Sequence, residues 1–252
     1  MLTYSSPGSK VGKAGVARKK SDGLEFLSLK DSAPKNLTEE CVLRILSLMK
    51  DGKLKAGDRI SEISIAEQIQ MGRAPTRGAL DRLAQANVLE RLHRAGTFVR
   101  ELSLEEFSEI MDVRAHLECL SARLAAQRVD GAAKQALMAM ALEVDRLNYD
   151  DPDVPQQQRY HADQAFHNMV TSVSGNSRLI GMLQSQHLLE FSFISGYRIM
   201  PKHRELQAEM PTHEAIAQAI IEHKIDEAGE LMRVHVVKSK QIRLSYALGE
   251  SR

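Results

Sequence analysis

The chain of 252 residues contains no tryptophan, only two cysteines and few aromatic residues, which make up 4% of its composition. Cys41 and Cys119 cannot build a disulfide framework, and both fall on stretches with helical apolar spacing, so we expect buried thiols in a reducing compartment. No apolar run approaches the roughly 18 residues of a membrane-spanning helix. The basic N-terminus lacks the apolar segment and cleavage site of a secretory signal. These absences predict a cytoplasmic protein with no membrane partner.

Charge is distributed unevenly along the chain, although its formal net charge is only +1. Residues 1–100 contain 18 Lys and Arg against 11 Asp and Glu, net +7, whereas residues 101–252 contain 16 against 22, net −6. Such an asymmetry is expected when one half of a chain meets a polyanion. Ser, Gly, Lys and Ala dominate residues 1–36, which we interpret as a disordered basic tail. That tail either adds weak affinity for phosphates or is an incidental extension.

The segment 65–99 has the pattern of a winged helix-turn-helix. A short apolar-periodic helix is followed by a break at Met71-Gly72, and a second helix opens with the sequence RAPTR. Its proline suits a first helical turn, where the missing N–H is not needed. Two strand-like runs, 88–92 and 97–100, flank a short basic turn with a glycine at its tip. Helix, turn, helix and hairpin together indicate a DNA-binding head.

The residues predicted to contact DNA lie at the start of the second helix and in the hairpin turn. Arg73 and Arg77 are four apart, so they project from one helical face near the N-terminus, where helix-turn-helix proteins contact base edges and phosphates. Thr76, Arg94 and Gly96 complete the predicted set. Two arginines four apart are usually just a solvated helix face, and it is the pattern as a whole that favours DNA binding.

Beyond residue 101 the chain has helical periodicity almost throughout, which predicts an antiparallel all-helical bundle over residues 102–248. Ser103 followed by Glu106 has the spacing of a capping box, and apolar residues then recur every three or four positions. Further helices are predicted near 132–148, 156–173, 177–193, 203–209, 212–222 and 225–248. The predicted fold is therefore mainly α, with a winged helix-turn-helix followed by a helical bundle.

Four residues of this bundle carry side chains that divalent metals prefer. Asp163 and His167 are four apart and share a helical face, His213 opens a later helix, and His235 lies in the last one. Three imidazoles and one carboxylate suit Zn²⁺, Ni²⁺ or Mn²⁺ and leave coordination positions open for an anionic ligand. The alternative for each histidine is a hydrogen-bonded core or surface residue, which is the commoner role.

The first half of the chain resembles the N-terminal domain of GntR-family transcription regulators. The resemblance is carried by KLKAGDRI at 53–60, IAE at 65–67, RxPxRxALxRL at 73–83, VL at 88–89 and GTFV at 96–99. It implies a winged helix-turn-helix domain over residues 37–101 that binds double-stranded DNA. Two positions depart from the family, which usually has Ser or Thr in place of Gly72 and Glu in place of Gly78. The second departure places a glycine inside a helix, which costs roughly 1 kcal/mol relative to alanine.

The second half resembles the FCD ligand-binding domain found in the FadR subgroup of these regulators. The matching residues are Arg114-x-x-Leu117-Glu118, Asp163-x-x-Phe166-His167, Gly175-Asn176, and the stretches around His213 and His235. In many relatives the matching Asp and three His bind a divalent metal that helps to hold a small carboxylic acid, and the resemblance implies the same here.

Three residues are candidates for binding that acid. The resemblance suggests that Arg114 pairs with the acid's carboxylate, and a salt bridge to Glu118 four residues later is an equal alternative. Asn176 is either a cavity residue or a helix cap. Arg198 is a weaker candidate.

Together these predictions describe a homodimeric, metal-containing transcription regulator rather than an enzyme. Each subunit is expected to contact one half of a pseudo-palindromic operator, and a bound organic acid is expected to change operator affinity. Repression relieved by ligand is the common outcome in relatives. Two alternatives stay open: a metal-dependent enzyme fused to a DNA-binding head, for which no general base is evident, and a regulator whose metal is purely structural.

Overall fold

The computed structural model describes residues 34, 36–149, 154–183, 186 and 209–248. The predicted tail over 1–36, apart from two positions, and Arg198 therefore lie outside the described residues. Two predicted helices are also described only in part. Of the helix predicted at 203–209 the structure describes only residue 209, and of the helix predicted at 177–193 it describes residues 177–183 and 186. The rest has the predicted mainly α fold, in which a small winged head precedes a helical body.

The head is built from three helices and three short strands. In chain order these are α1 (Leu37–Lys50), β1 (Arg59–Ile60), α2 (Glu62–Gln68), α3 (Arg73–Gln85), β2 (Leu89–Leu92) and β3 (Gly96–Val99). The strands form an antiparallel sheet in the order β1-β3-β2. The two-residue strand β1 was not predicted, because two residues are too few to show a period of two.

The head encloses its own apolar core. Cys41, Val42, Ile45 and Met49 project from one face of α1 and are almost completely buried. They pack with residues of α3 and of the hairpin in one cluster that includes Leu80, Leu83, Val88, Leu89 and Val99. The N-cap of α1 is Asn36, whose Oδ1 accepts a hydrogen bond from the N–H of Glu39 at 3.0 Å. Because Asn36 caps the helix, Thr38 is not the N-cap and lies inside the first helical turn.

The helical body consists of long helices around a second core. They are α4 (Leu104–Arg128), α5 (Gly131–Tyr149), α6 (Gln156–Val173), α7 (177–183), α8 (His213–Ile221) and α9 (Ile225–Ala247). Ser103 and Glu106 form the predicted capping box at the start of α4. The α4 and α9 helices are antiparallel, since Asp112 pairs with Lys240 at one end and Arg123 with Asp226 at the other. Among the described residues, no helix is long and apolar enough to cross a membrane.

Two features connect the head to the body. Only residues 100–103 separate β3 from α4, and Arg100 forms an ion pair with Glu106 in the first turn of α4. Tyr160 of α6 is partly buried and packs against the apolar core of the head. The helix that carries Asp163 and His167 therefore contacts the head directly.

Candidate DNA-binding surface and metal centre

The predicted recognition helix α3 exposes both of its first arginines. It begins without a side-chain cap at Gly72, as expected from the glycine at that position. Arg73 is exposed, and the Arg77 side chain retains 67% of its accessible surface. Arg77 donates two hydrogen bonds to the carboxylate of Glu62, from Nε at 3.0 Å and from Nη2 at 3.2 Å. This pairing holds the guanidinium on the outer side of α3 before any DNA is bound.

Thr76 does not lie on this surface, which corrects the expectation that its side chain contacts DNA. It is completely buried, and its hydroxyl donates to the carbonyl oxygen of Gly72 at 2.8 Å. Its complete burial places it on the inner face of α3, although both neighbouring arginines are exposed. Thr76 therefore packs the start of the recognition helix against α1, where Cys41 lies beside it.

The hairpin turn has the backbone conformation that its sequence predicts. Arg94 and Gly96 both have positive φ, at +64° and +118°. A Cβ atom at position 96 would lie 3.1 Å from Nε of Arg59, so glycine is favoured there by both space and conformation. Arg94 is exposed at the tip of the turn, where it is available to a DNA backbone.

The second departure from the family, Gly78, has a structural explanation. A Cβ atom at this position would lie 3.2 Å from the methyl carbon and 3.3 Å from the hydroxyl oxygen of Thr38 on α1. The glycine thus allows α1 to approach α3 closely. Glycine lowers the helix propensity of α3 at this position, and the close packing of α1 against α3 offsets that loss.

In the body, the four predicted metal ligands converge in one place. One ligand atom from each of Asp163, His167, His213 and His235 lies within 4.8 Å of all the others. The ring centroids of His213 and His235 are 4.5 Å apart, and Oδ1 of Asp163 lies 3.1 Å from Nε2 of His213. All three histidines are buried. His161, two residues before Asp163, instead packs edge-on to Tyr160.

Each of the three imidazoles is oriented by a hydrogen bond from its Nδ1 atom. His167 donates to Glu118, His213 donates to Asp145 at 2.7 Å, and His235 donates to the carbonyl oxygen of Pro211 at 2.8 Å. These bonds turn every Nε2 toward the centre, as the atom that would bind a metal once the proton between Nε2 of His213 and Asp163 is displaced. In metal-binding histidines the ring nitrogen that does not bind the metal usually donates to a carboxylate or a carbonyl in this way. Three neighbouring histidines that only filled a core would not all require such a partner.

Electrostatics within this group keep its members in opposite charge states. Burial would lower the pKa of His213, but hydrogen bonds to Asp145 and Asp163 outweigh it and raise the pKa to about 9. Burial, together with repulsion from His213 and His167, lowers the pKa of His235 to about 3. Burial opposes ionisation of Asp163, yet the neighbouring histidines hold its pKa well below the usual range. One carboxylate and at least one neutral imidazole are therefore ready to coordinate at neutral pH.

The donor set fits a divalent transition metal. Three nitrogen donors and one carboxylate oxygen match the preference of Zn²⁺, Ni²⁺ and Mn²⁺ for borderline and hard ligands, and the oriented imidazoles reduce the reorganisation that binding requires. Such an ion would replace the proton shared by His213 and Asp163 and would act as a Lewis acid toward an anionic ligand.

The three predicted acid-binding residues have different surroundings. Arg114 is 2% exposed and donates from Nε to Oε1 of Glu118 at 2.5 Å, which is the salt bridge given as the alternative from the sequence. Asn176 accepts hydrogen bonds through Oδ1 from the N–H groups of Arg178 and Leu179, both at 3.2 Å, so its side-chain oxygen caps α7 rather than lining the metal centre. Arg198 lies outside the described residues.

Sequence reasoning missed the residues that support the centre. Asp145, on α5, and Pro211 are separated from the histidines they orient by 68 and 24 positions, so no local spacing indicates them. The sequence indicates Glu118 only as a partner of Arg114, whereas in the structure it also binds His167. Gln164 and Arg243, described below, were not singled out either, because an isolated polar residue in a helix carries no distinctive pattern.

Comparison with known families agrees with both halves of the chain. The profile of the gntR family of bacterial regulatory proteins matches residues 37–99, and that of the FCD domain matches residues 109–238. The chain belongs to the GntR family. It is a DNA-binding transcription regulator with a C-terminal FCD domain, and proteins of this family are regulators rather than enzymes. GntR regulators bind DNA operators and function as dimers.

Individual relatives are similar along most of their length. The chain is 27% identical to the Nta operon transcriptional regulator of Aminobacter aminovorans over 188 residues, which cover 73% of this chain and 83% of that one. It is 27% identical to the gluconate operon transcriptional repressor of Bacillus licheniformis, with 72% of each chain covered. The structure is similar to that of Escherichia coli McbR/YncC, with a TM-score of 0.70, 20% identity and coverage of 82% and 97%. The last similarity supports the fold alone.

Proposed function

We propose that this GntR-family protein is a homodimeric repressor that contains a divalent metal in its FCD domain and changes its operator affinity when a small carboxylic acid binds beside that metal. The observation that supports this proposal most strongly is the set of three Nδ1 hydrogen bonds that turn His167, His213 and His235 toward Asp163. The name of one relative, the repressor of a gluconate operon, refers to a carboxylic acid, which agrees with the proposed ligand class.

In the head, Arg73 and Arg77 are the proposed contacts to base edges and phosphates, with Arg94 and the backbone at Gly96 contacting the adjacent groove. Both arginines project from the exposed face of α3. A dimer presents two such helices, so the operator is expected to be a pseudo-palindrome. DNA phosphates compete with Glu62 for Arg77, and the salt dependence of binding will include that exchange.

A signal has a short route from the metal centre to the head. Asp163 follows Tyr160 by three positions on α6, and Tyr160 packs on the apolar core of the head. Displacement of α6 when an acid binds would therefore move a side chain that touches the head. A change of about 1–3 kcal/mol in coupling free energy corresponds to a 5–150-fold change in operator affinity.

The metal is tested first. Wild-type protein purified without chelator is compared by inductively coupled plasma mass spectrometry with the double variant His213→Ala/His235→Ala and with His161→Ala as a matched control. We expect about one divalent ion per chain in the wild type and in the control, and none in the double variant. A wild type without metal would contradict the metal part of the proposal and leave DNA binding intact.

The response to acids is tested on DNA selected from a random library by the wild-type protein. Gel shifts with the metal-loaded protein are repeated in the presence of simple carboxylates. We expect at least one acid to change operator affinity by fivefold or more, and the double variant to be insensitive. A metal-loaded protein whose operator affinity no acid changes would favour a structural metal, and turnover of an acid would favour an enzyme.

A further inference from the structure

The metal ligands are flanked by buried polar groups that metal binding does not use. On α6, residues 160, 164, 167 and 171 fall on one face, and this face meets α4, because His167 contacts Glu118 and Thr171 contacts Ser121. Gln164 therefore lies on the α4 side of α6, between Tyr160 and His167. It is 5% exposed, and its Nε2 atom is buried without a hydrogen-bond partner among the described residues.

A buried amide donor without a partner calls for an explanation, since such a group loses its hydration on folding and recovers nothing. An occupant of the neighbouring space that presents an oxygen acceptor would satisfy it. The amide lies at the end of the metal centre nearer the head, because it is one helical turn before His167 and one turn after Tyr160. An anionic oxygen is the acceptor that gains most from an amide donor.

A second cationic group acts on the same region. Arg243 of α9 is partly buried, with its Nη1 atom shielded from solvent, and the charged and polar groups that act on it are Asp163, Arg114, Tyr160 and Glu118. Burial lowers the pKa of Arg243 to about 10, which leaves the guanidinium charged at neutral pH. Arg243 follows Lys240, which pairs with Asp112 of α4, six residues nearer the head than Glu118, so its positive charge lies on the head side of the metal centre, as Gln164 does.

The charges of this region do not balance when a metal is present. Three carboxylates, two guanidinium groups and one divalent ion surround it, contributed by Asp163, Glu118, Asp145, Arg114, Arg243 and the metal, so their sum is +1 with neutral imidazole ligands. Asp145 lies behind His213, where it accepts hydrogen bonds from the N–H groups of His213 and Glu214 at the start of α8. An anionic ligand at the open metal positions would offset this excess, and a second carboxylate on the same ligand would find Arg243 and the buried amide of Gln164 beside it.

We infer that Gln164 and Arg243 form an anion-binding end of the effector pocket, and that the effector is a diacid with one carboxylate at the open metal positions and the other at these two residues. This inference rests on the proposed function, because it requires the metal centre. It assigns the second carboxylate to Arg243 and leaves Arg114 in its salt bridge with Glu118. Arg114 then serves to position Glu118, and through it His167.

The test compares acids of matched length on the metal-loaded full-length protein. Malonate, succinate and glutarate are titrated against propionate, butyrate and pentanoate at constant ionic strength by isothermal titration calorimetry. We expect at least one diacid to bind tenfold or more tightly than its matched monoacid. In Arg243→Gln this preference should disappear, whereas it should persist in Arg233→Gln, an exposed arginine of the same helix that pairs with Glu230.

A second variant, Gln164→Leu, keeps the inference testable if Arg243→Gln does not fold. Replacing the buried amide by an apolar group should leave the thermal midpoint of the acid-free protein unchanged or higher, and should weaken diacid binding at least fivefold. Metal content and operator binding are measured on every variant. If the wild type holds metal and binds its operator but no diacid is preferred, or Arg243→Gln keeps the preference, this inference is wrong and the proposed function stands. Loss of metal from the wild type itself would overturn both.

Discussion

The head and the helical body of this protein place their functional side chains in opposite environments. In the head the core is apolar, and the arginines proposed to contact DNA project into solvent from α3 and the hairpin. In the body the functional candidates are themselves part of the core, since His167, His213 and His235 are at most 2% exposed. The head can therefore lose a functional group without losing packing, whereas in the body function and stability depend on the same residues.

The largest expected difference between the two regions is the effect of removing metal. A metal that binds only the folded body stabilises it by about 4 kcal/mol when its free concentration is a thousand times its Kd. For a domain of this size the thermal midpoint should then fall by roughly 8–16 °C on chelation. Differential scanning calorimetry with and without chelator measures this shift. A midpoint that does not move, or that moves equally in His213→Ala/His235→Ala, would contradict the claim that a metal bound at these histidines stabilises the body.

The head should show the converse behaviour. Arg73→Ala/Arg77→Ala removes two contacts per subunit, each worth roughly 1–3 kcal/mol, so the dimer loses four contacts and its operator affinity should fall about a thousandfold or more. The thermal midpoint and the metal content should stay at wild-type values, because both side chains are exposed. Fluorescence anisotropy with the selected operator gives the affinity, and Arg233→Ala on α9 serves as the control. Unchanged affinity would show that α3 is not the recognition helix.

A smaller effect is expected from a residue that touches the metal only through a ligand. Asp145→Asn keeps an acceptor oxygen for Nδ1 of His213 but removes the charge that supports it. Changes of this kind typically weaken metal binding 10–100-fold. Competition with a chromophoric chelator measures the affinity, with Glu143→Gln on the exposed face of the same helix as the matched control. Equal affinities would mean that the hydrogen bond to an acceptor oxygen suffices and that the charge of Asp145 does not support metal binding.

The smallest effect concerns the close contact between α1 and α3 in the head. Gly78→Ala should gain up to about 1 kcal/mol of helix propensity, but its methyl group meets Thr38, so the net change in the free energy of unfolding should be near zero. In a Thr38→Ala background the gain should emerge. Urea denaturation of the four proteins in this double-mutant cycle measures the coupling. Additive effects would show that Thr38 does not restrict position 78.

The two regions also differ in how far the sequence alone predicts them. In the head, periodicity and turn residues predicted α3 and the hairpin, but not the burial of Thr76, because a residue between two exposed arginines can face either way in the first turn. In the body, the sequence predicted the described helices and the four residues that converge as candidate metal ligands. Asp145, Glu118 and Gln164 acquire their roles only through contacts between helices, and their positions along the chain carry no sign of those contacts.

The short connection between β3 and α4 has a mechanical consequence. α4 has 25 residues and is therefore about 37 Å long, and its first turn is fastened to the wing by the ion pair between Arg100 and Glu106. The same helix carries Glu118, which binds His167 of the candidate metal centre. A tilt of α4 that starts at Glu118 would therefore move its first turn and the wing attached to it. A tilt of about 5° around Glu118, which lies about 21 Å from the start of the helix, displaces that start by about 2 Å, enough to take an arginine out of hydrogen-bond range of a base.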